Sequence, residues 1–281
     1  MSWFVFFIVI CAALLHAGWN AMVKGGADKS ASMMAVVLGQ GLAGAVLLMF
    51  VPMPAAASLP YLAGGLVLHV GYQVFLVSAY KIGDLTQVYP IARGVSPLLV
   101  AAVSVIVLGE RFSHMELAAV ALIALGIASI SLTRRAGSVF QGKAAGLALI
   151  TGGFIAGYSM VDGMGARVAG TALGFYAWES VLNVAVFAMG ARVLRPGLLG
   201  RALVLRKSLF IGGGASFAAY ALVMWSFTQA PIALVTALRE TSIIFALLIG
   251  VGMLGERVTL MKLVSVTAAL CGVVLLRLAQ S

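Results

Sequence analysis

The chain has 281 residues and a net charge of +10, and 63% of its residues are hydrophobic while only 9% are charged. A soluble domain carries charge on about a quarter of its residues, so this composition excludes a soluble protein and indicates a polytopic protein of the lipid bilayer. The basic residues are spread over short connections between apolar segments and form no basic stripe. We therefore expect no nucleic-acid partner.

Ten apolar segments are long enough to cross the bilayer core, which takes about 20 helical residues. The longest connection, residues 192–207, is predicted to be a basic linker. In the fourth segment, Pro90 and Pro97 each remove a helical donor and favour a kink, whereas the ninth has no interior proline. We predict an all-α polytopic membrane protein with ten transmembrane helices, called spans one to ten, at residues 3–23, 32–51, 59–80, 85–108, 114–132, 144–164, 171–190, 208–228, 231–253 and 260–278.

One short stretch of sequence occurs twice. Leu108-Gly109-Glu110-Arg111 returns as Leu254-Gly255-Glu256-Arg257, each time closing one apolar segment just before the next begins. The same offset of 146 residues places Arg93 opposite Arg239. These matches predict a duplicated unit, and two copies of one membrane unit are typical of a transporter because they can alternate around a shared central site.

The predicted repeats are residues 1–135 and 140–281, each with five helices. Because five is odd, the second copy enters the membrane from the opposite side, so we expect two inverted repeats around a central cavity. Of the 18 Lys and Arg residues, 13 lie on, or within three residues of, the connections after spans one, three, five, seven and nine. These connections are predicted to be cytoplasmic, which places both termini outside, in the periplasm.

Several charged residues lie within predicted spans, where an unpaired charge is costly. Arg239 could pair with Glu179 or Glu240 and only fix helix packing, which is the alternative to a functional role. For Arg93 no acid lies deep within a span of the first repeat, so its expected partner is Asp84 or the carboxylate of a substrate. Asp162 lies nearer a predicted helix end and is a weaker candidate.

Polar and aromatic side chains mark faces of several spans that should not contact lipid. In spans one and three they recur at the three- and four-residue spacings that bring side chains together on a helix. Such faces contact either neighbouring helices or a wet cavity, and we predict that they line a substrate cavity. The predicted substrate-binding residues are His16, Trp19, Asn20, His69, Tyr72, Gln73, Tyr80, Tyr89, Arg93, Tyr158, Trp178, Glu179, Arg239 and Glu240.

The motifs of several enzyme classes are missing from the sequence. Residues 137–144 read G-x-x-x-x-G-K-A and lack the final Ser or Thr of a phosphate-binding loop, and they join two membrane spans. His16, His69 and His114 are too scattered along the chain to propose a metal site. We therefore expect no catalytic residues, no cofactor and no bound metal.

The opening His16-Ala17-Gly18-Trp19-Asn20, the paired Gly-Glu-Arg junctions and the two five-helix units resemble the drug/metabolite transporter superfamily. The resemblance is closer to its EamA-type branch, which includes YddG-type amino-acid exporters, and it covers nearly the whole chain. It implies a basket of ten helices around a central cavity, and export of amino acids or related metabolites across a bacterial inner membrane. Span one lacks the glutamate that the related small multidrug pumps use for proton exchange, so proton-coupled and facilitated export both stay open.

These features predict a monomeric secondary transporter of the inner membrane, rather than an enzyme, that exports amino acids or similar small amphipathic metabolites by alternating access. Arg93 or Arg239 would meet the substrate carboxylate, Glu179 or Glu240 its ammonium, and the aromatic edges its side chain. One alternative is a multidrug exporter of cationic compounds, which needs an acid but no arginine in the cavity. An alternative from another class is a membrane enzyme or a flippase for isoprenoid-linked lipids.

Overall fold

The computed structural model describes residues 1–82, 85–129, 142–254 and 259–280, and the regular secondary structure within these ranges is helical. A 3-10 turn at Ala56–Ser58 precedes the third helix, and a π-helical turn at Ser208–Gly212 leads into the ninth. The α-helices are α1 (Trp3–Gly25), α2 (Lys29–Leu47), α3 (Leu59–Ile82), α4 (Leu85–Leu108), α5 (His114–Ser129), α6 (Gly142–Val168), α7 (Ala172–Leu194), α8 (Leu198–Val204), α9 (Gly213–Phe227), α10 (Ile232–Arg239), α11 (Ser242–Leu254) and α12 (Leu260–Leu278).

Most of these helices are long and apolar enough to cross a membrane. Within the described ranges nine stretches meet this requirement, with α10 and α11 counted together as Ile232–Gly252, and α5 adds a shorter apolar helix of 16 residues. They fall on the ten predicted spans, so the prediction of an all-α polytopic membrane protein is confirmed. The second Gly-Glu-Arg copy lies outside the described residues.

The connection between spans seven and eight is more than a linker, because it contains the short helix α8. This helix begins after Gly197, whose φ of +85° lies in the left-handed region that favours glycine. Leu198 and Ala202 are one turn apart and are both buried on the side where α8 packs against α2. A single apolar turn among basic residues is too short a pattern to predict from sequence.

The sequence favoured span four as the distorted helix, and the structure differs. α4 is one continuous helix through Pro90 and Pro97, whereas span nine is divided into α10 and α11. At the division the Thr241 hydroxyl donates a hydrogen bond to the Leu238 carbonyl at 2.8 Å, and successive backbone amides bond three residues back instead of four. A side chain that bonds its own backbone can tighten a helix into such a turn without a proline.

Glycines at matching positions set the contact between α5 and α12. A Cβ at Gly126 would lie 3.1 Å from the Ser265 carbonyl oxygen, and a Cβ at Gly272 would lie 3.0 Å from the Ala119 carbonyl oxygen. Gly126 and Gly272 are 146 residues apart, as are Ala119 and Ser265, so the two contacts are reciprocal. They also make α5 and α12 antiparallel, with small residues allowing the backbones to approach closely.

Other main helix contacts also occur in pairs, in which each helix of one half is replaced by the corresponding helix of the other half. α3 packs on α6 as α9 packs on α1, α4 packs on α6 as α11 packs on α1, and α2 packs on α7. α3 and α6 are antiparallel, because Gly65 approaches Asp162 while Gly71 approaches Phe154. This packing brings the buried polar faces of α1, α3, α4, α6, α7, α9 and α10 toward one another.

Candidate functional site

Two clusters of charged side chains lie buried among the helices. The first, the arginine–glutamate cluster, consists of Arg93, Arg239 and Glu240 with the neighbouring His16 and Ser159. The second, the histidine–acid cluster, consists of His69, Asp162 and Glu179 with the neighbouring Tyr220.

The arginine–glutamate cluster links the two halves of the chain. Arg93 on α4 donates through Nη1 to both carboxylate oxygens of Glu240, at 3.0 and 2.9 Å. Arg239 donates through Nη2 to Glu240 Oε1 at 3.2 Å and to Ser159 Oγ at 3.4 Å. The three charged residues are buried. Two guanidinium groups share one carboxylate here, so these three described side chains together carry one net positive charge.

His16 on α1 completes this cluster. Its Nε2 atom contacts Nη2 of Arg93. A guanidinium group can only donate hydrogen bonds, so His16 Nε2 accepts, which leaves the ring neutral with its proton on Nδ1. The Trp19 ring meets the His16 ring edge-on at 5.0 Å between centroids, and the Asn20 amide donates to the His16 carbonyl at 2.7 Å. The predicted polar face of span one therefore lies beside Arg93.

Arg93 pairs with Glu240 of the second half, an acid that the sequence analysis did not consider for it. Asp84, one of its expected partners, lies outside the described residues. The pair forms because α4 packs against α10, a contact between helices that the sequence does not reveal. Of the two acids considered for Arg239, Glu240 is the one that contacts it. Glu179 belongs to the other cluster.

The histidine–acid cluster brings together four helices. His69 on α3 places Nε2 3.0 Å from Asp162 Oδ2 on α6 and 3.4 Å from Glu179 Oε1 on α7. The Tyr220 hydroxyl on α9 donates to the same Asp162 oxygen. Asp162 is 0% exposed and Glu179 is 2% exposed. Two buried carboxylates thus share a single imidazole, so the cluster is short of positive charge whether or not His69 is protonated.

Gly65 makes room for these two carboxylates. It lies one turn before His69 on α3, on the same face. A Cβ at this position would lie 2.6 Å from Glu179 Oε1 and 2.7 Å from Asp162 Oδ1. The two oxygens therefore converge on one point beside the α3 backbone, which a larger residue would occupy.

Aromatic side chains lie between the two clusters. The Tyr158 ring stacks on His69 with centroids 4.2 Å apart, and Tyr72 meets Tyr158 edge-on at 5.7 Å. Tyr220 contacts the His69 ring from another side, and the Arg239 guanidinium carbon lies 6.0 Å from the centroid of the Tyr220 ring. Tyr220 therefore contacts both clusters, because its hydroxyl group bonds Asp162 and its ring lies beside Arg239.

Both clusters contain buried polar atoms that have no hydrogen-bond partner among the described residues. In the arginine–glutamate cluster this atom is Nε of Arg239. In the histidine–acid cluster the atoms are Asp162 Oδ1 and both carboxylate oxygens of Glu179. Leaving such groups unpaired costs about 1–3 kcal/mol each, and more for charged groups, so these atoms favour a ligand that supplies the missing bonds.

The structure brings some of the predicted substrate-binding residues together and leaves others apart. The structure brings together nine of the fourteen predicted residues in the two clusters and at their edges: His16, Trp19, His69, Tyr72, Arg93, Tyr158, Glu179, Arg239 and Glu240. Asn20 bonds its own helix, and Trp178 has a buried indole nitrogen without a partner. The side chains of Gln73, Tyr80 and Tyr89 lie outside the described residues.

Asp162 and Tyr220 are the site residues that the sequence predictions underrated or missed. Asp162 looked close to a helix end because span six was predicted to end at residue 164, whereas α6 continues to Val168. One usable signal was that Asp162 follows Tyr158 by four residues and so lies on the same helix face. Tyr220 lies in an apolar helix in which its neighbours carry no charge, so no comparable signal pointed to it.

Comparisons with known proteins agree with this fold. Residues 3–132 match the EamA-like transporter family, a range that covers most of the first predicted repeat. One crystal structure aligns with 100% of this chain and 99% of its own, with a TM-score of 0.76 and 18% sequence identity, which shows a shared fold. None of the curated proteins matches the chain. The first half of the chain is thus similar to a family of transporters.

Proposed function

We propose that the protein is a secondary transporter of the inner membrane that exports amino acids or similar small zwitterionic metabolites by alternating access. The observation that carries this proposal is the pair of buried clusters of opposite charge, which have unmade hydrogen bonds and tyrosine side chains between them. A zwitterion has one group for each cluster.

The arginine–glutamate cluster is suited to a substrate carboxylate. It holds one excess positive charge, and Nε of Arg239 is a buried donor without a partner. Arginine binds carboxylates through charge-assisted hydrogen bonds, which are about twice as strong as neutral ones. We therefore expect Arg239 to bind the substrate carboxylate. Arg93 shares the Glu240 carboxylate with Arg239, so Glu240 does not fully neutralise the charge of Arg239.

The histidine–acid cluster is suited to a substrate ammonium group. Three carboxylate oxygens of Asp162 and Glu179 have no hydrogen-bond partner, and an ammonium group offers three donors. Tyr158 and Tyr72 present aromatic surface beside these acids, against which an apolar substrate side chain can pack. Asp162 and Glu179 together thus take the role of binding the ammonium group, which the sequence analysis assigned to Glu179 or Glu240.

Alternating access is supported by the relation between the two halves. α5 and α12 are antiparallel and make reciprocal glycine contacts at the 146-residue offset of the sequence repeat, as expected for two inverted copies. The Arg93–Glu240 ion pair crosses between the halves beside the turn that divides α10 from α11. A transporter whose halves move relative to each other would rearrange the site at this junction.

The second candidate, an exporter of cationic compounds, is favoured by the histidine–acid cluster considered alone. Two buried carboxylates and tyrosine rings are a typical environment for an organic cation. The excess positive charge of Arg93 and Arg239 close to that cluster counts against this candidate, because it would repel a cation in a medium of low dielectric constant.

Counterflow in proteoliposomes tests the proposal. Vesicles loaded with unlabelled amino acid should accumulate the same labelled amino acid, while a quaternary ammonium compound should not accumulate. Arg239→Gln and Asp162→Asn should each weaken apparent substrate affinity by about 10- to 100-fold, the effect of losing one charge-assisted hydrogen bond.

Arg201→Gln and Asp28→Asn provide matched controls for this experiment. Arg201 and Asp28 form an exposed ion pair at the start of α2, so these changes remove the same charges outside the interior and should leave counterflow unchanged. Accumulation of the cation without accumulation of any amino acid would support the second candidate and contradict the first.

A further inference from the structure

We propose that His69, Asp162 and Glu179 form a binding site for one divalent transition-metal ion of the Zn²⁺ type. The three side chains come from three helices, and one ligating atom from each lies within 4.8 Å of the others. Binding of a metal ion to these residues does not depend on the proposed substrate.

The spacing of the ligating atoms agrees with such an ion. His69 Nε2 lies 3.0 Å from Asp162 Oδ2 and 3.4 Å from Glu179 Oε1. In a tetrahedral zinc site with bonds of about 2.0–2.1 Å, neighbouring ligand atoms are separated by about 3.3 Å. Small rotations of the two carboxylates would therefore place all three ligands around a single ion.

The unmade hydrogen bonds of the two acids point to a bound cation. Both residues are at least 98% buried, and no described residue gives a hydrogen bond to Asp162 Oδ1, Glu179 Oε1 or Glu179 Oε2. Among the described residues, the ion pairs of these two acids lead only to His69. Burying two carboxylates without compensating charge is costly, and a divalent ion would neutralise both.

The geometry around Gly65 indicates that the oxygens are directed at a common point. A Cβ at residue 65 would lie 2.6 Å from Glu179 Oε1 and 2.7 Å from Asp162 Oδ1. The space between the acids and α3 is therefore open because residue 65 is glycine. Gly64, its neighbour in sequence, has only ordinary contact at 3.5 Å with a Val161 methyl group, so the same change there meets no acid.

The chemistry of the ligands selects the type of ion. One imidazole and two carboxylates form a nitrogen and oxygen set that binds Zn²⁺, Co²⁺ or Mn²⁺. Mg²⁺ and Ca²⁺ prefer six or more oxygen ligands, so an imidazole disfavours them. An ion at this position would take the place proposed for the substrate ammonium group, and Zn²⁺ should therefore compete with amino acids for the site.

Metal binding by the purified full-length protein in detergent tests this site without any substrate. After treatment with a chelator, the protein should bind one Zn²⁺ per chain in calorimetry, and Co²⁺ should give the intense visible absorption of a tetrahedral complex. His69→Gln, Asp162→Asn and Glu179→Gln should each weaken Zn²⁺ binding by at least about 10-fold, because each removes a ligand. Mg²⁺ should not displace Zn²⁺.

Gly65→Ala and Gly64→Ala form a matched pair for the same titration. The methyl group at position 65 should displace the two carboxylates and weaken Zn²⁺ binding by about 10-fold or more, whereas the change at position 64 should leave it unchanged. Size-exclusion profiles and melting temperatures identify any variant that fails to fold, and the Gln and Asn variants then decide the result.

Several outcomes would overturn the metal site. Wild-type protein that binds no stoichiometric Zn²⁺ contradicts it, as does binding of equal strength in wild type and His69→Gln, which would place the ion elsewhere. If Zn²⁺ does not bind but the protein takes up a proton that Glu179→Gln no longer takes up, the cluster holds a proton instead. Amino-acid counterflow without Zn²⁺ binding contradicts the metal site and leaves the proposed transport function standing.

Discussion

Glu179 and Glu240 look alike in the sequence but have opposite surroundings in the folded protein. Glu240 accepts hydrogen bonds from two arginines, whereas within the described part of the chain neither carboxylate oxygen of Glu179 has a hydrogen-bond partner. The charge of a buried acid between two cations is compensated, and that of a buried acid beside another acid is not. At the scale of single residues, Glu240 is therefore expected to act in packing and Glu179 in binding.

Glu240→Gln should destabilise the protein. The change leaves two buried guanidinium groups without a counter-charge, and breaking a buried ion pair in this way costs about 3–5 kcal/mol. Thermal unfolding in detergent measures the effect as a lower melting temperature. Glu110→Gln is the control, because Glu110 pairs with Arg167 at 3.6 Å in a part-exposed position, where an ion pair contributes less than about 1 kcal/mol. Equal melting temperatures for the two variants would contradict a packing role for Glu240.

Glu179→Gln should reduce the pH dependence of transport. An ammonium substrate binds the ionised form of the histidine–acid cluster, so apparent affinity should rise as pH rises through the range in which the cluster loses its protons. The groups that face Glu179 are His69, Asp162 and, through Asp162, Tyr220. Counterflow measured across pH, with chelator present, gives the profile.

Asp28→Asn provides the control for that profile. The Ala31 backbone amide, which donates to Asp28 at the start of α2, and the nearby Arg201 hold the pKa of the Asp28 carboxyl below its ordinary value. Asp28 therefore stays ionised throughout the neutral range, and its removal should not alter the profile. A Glu179→Gln protein with the wild-type profile would show that Glu179 carries no titrating role.

At the scale of helices, small residues decide how closely α4 and α6 approach beside the arginine–glutamate cluster. A Cβ at Gly152 on α6 would lie 2.9 Å from the Ala92 carbonyl oxygen on α4, next to Arg93. A Cβ at Gly153 would meet nothing within 4 Å. The two adjacent glycines therefore differ only in the helix face on which they lie.

Gly152→Ala should lower the melting temperature, because the methyl group must push the α4 backbone away and with it Arg93. Gly153→Ala should leave the melting temperature unchanged or raise it, because alanine is favoured over glycine inside a helix by about 1 kcal/mol. Thermal unfolding of the two variants, made and measured side by side, checks both expectations. Destabilisation of equal size at both positions would contradict the close packing of α4 on α6.

At the scale of the whole molecule, orientation in the membrane follows from the distribution of charge. The segment between α7 and α9 is rich in basic residues, and α8 within it presents Arg201 to solvent while its apolar side packs on α2. The positive-inside rule predicts that this segment lies in the cytoplasm and that both termini lie outside.

Cysteine labelling in intact cells tests the orientation. In a background with Cys11 and Cys271 replaced by alanine, a cysteine at Ser281 should react with an impermeant thiol reagent. A cysteine at Pro196, which is exposed before α8, should react only after the cells are permeabilised. The reverse labelling pattern would overturn the assignment.

The sequence by itself determined the class of protein, the ten spans and four of the five charged residues of the two clusters. It could do so because hydropathy reports membrane crossing and because a charge within an apolar span is conspicuous wherever it lies. Only the tertiary structure decided which charges meet. Arg93 and Glu240 are 147 residues apart, and His69 and Asp162 are 93 residues apart, so their pairing depends on how α4 packs on α10 and α3 on α6. Gly65 has no side chain to mark it in the sequence, and its role exists only because two acids from other helices converge on the space beside it.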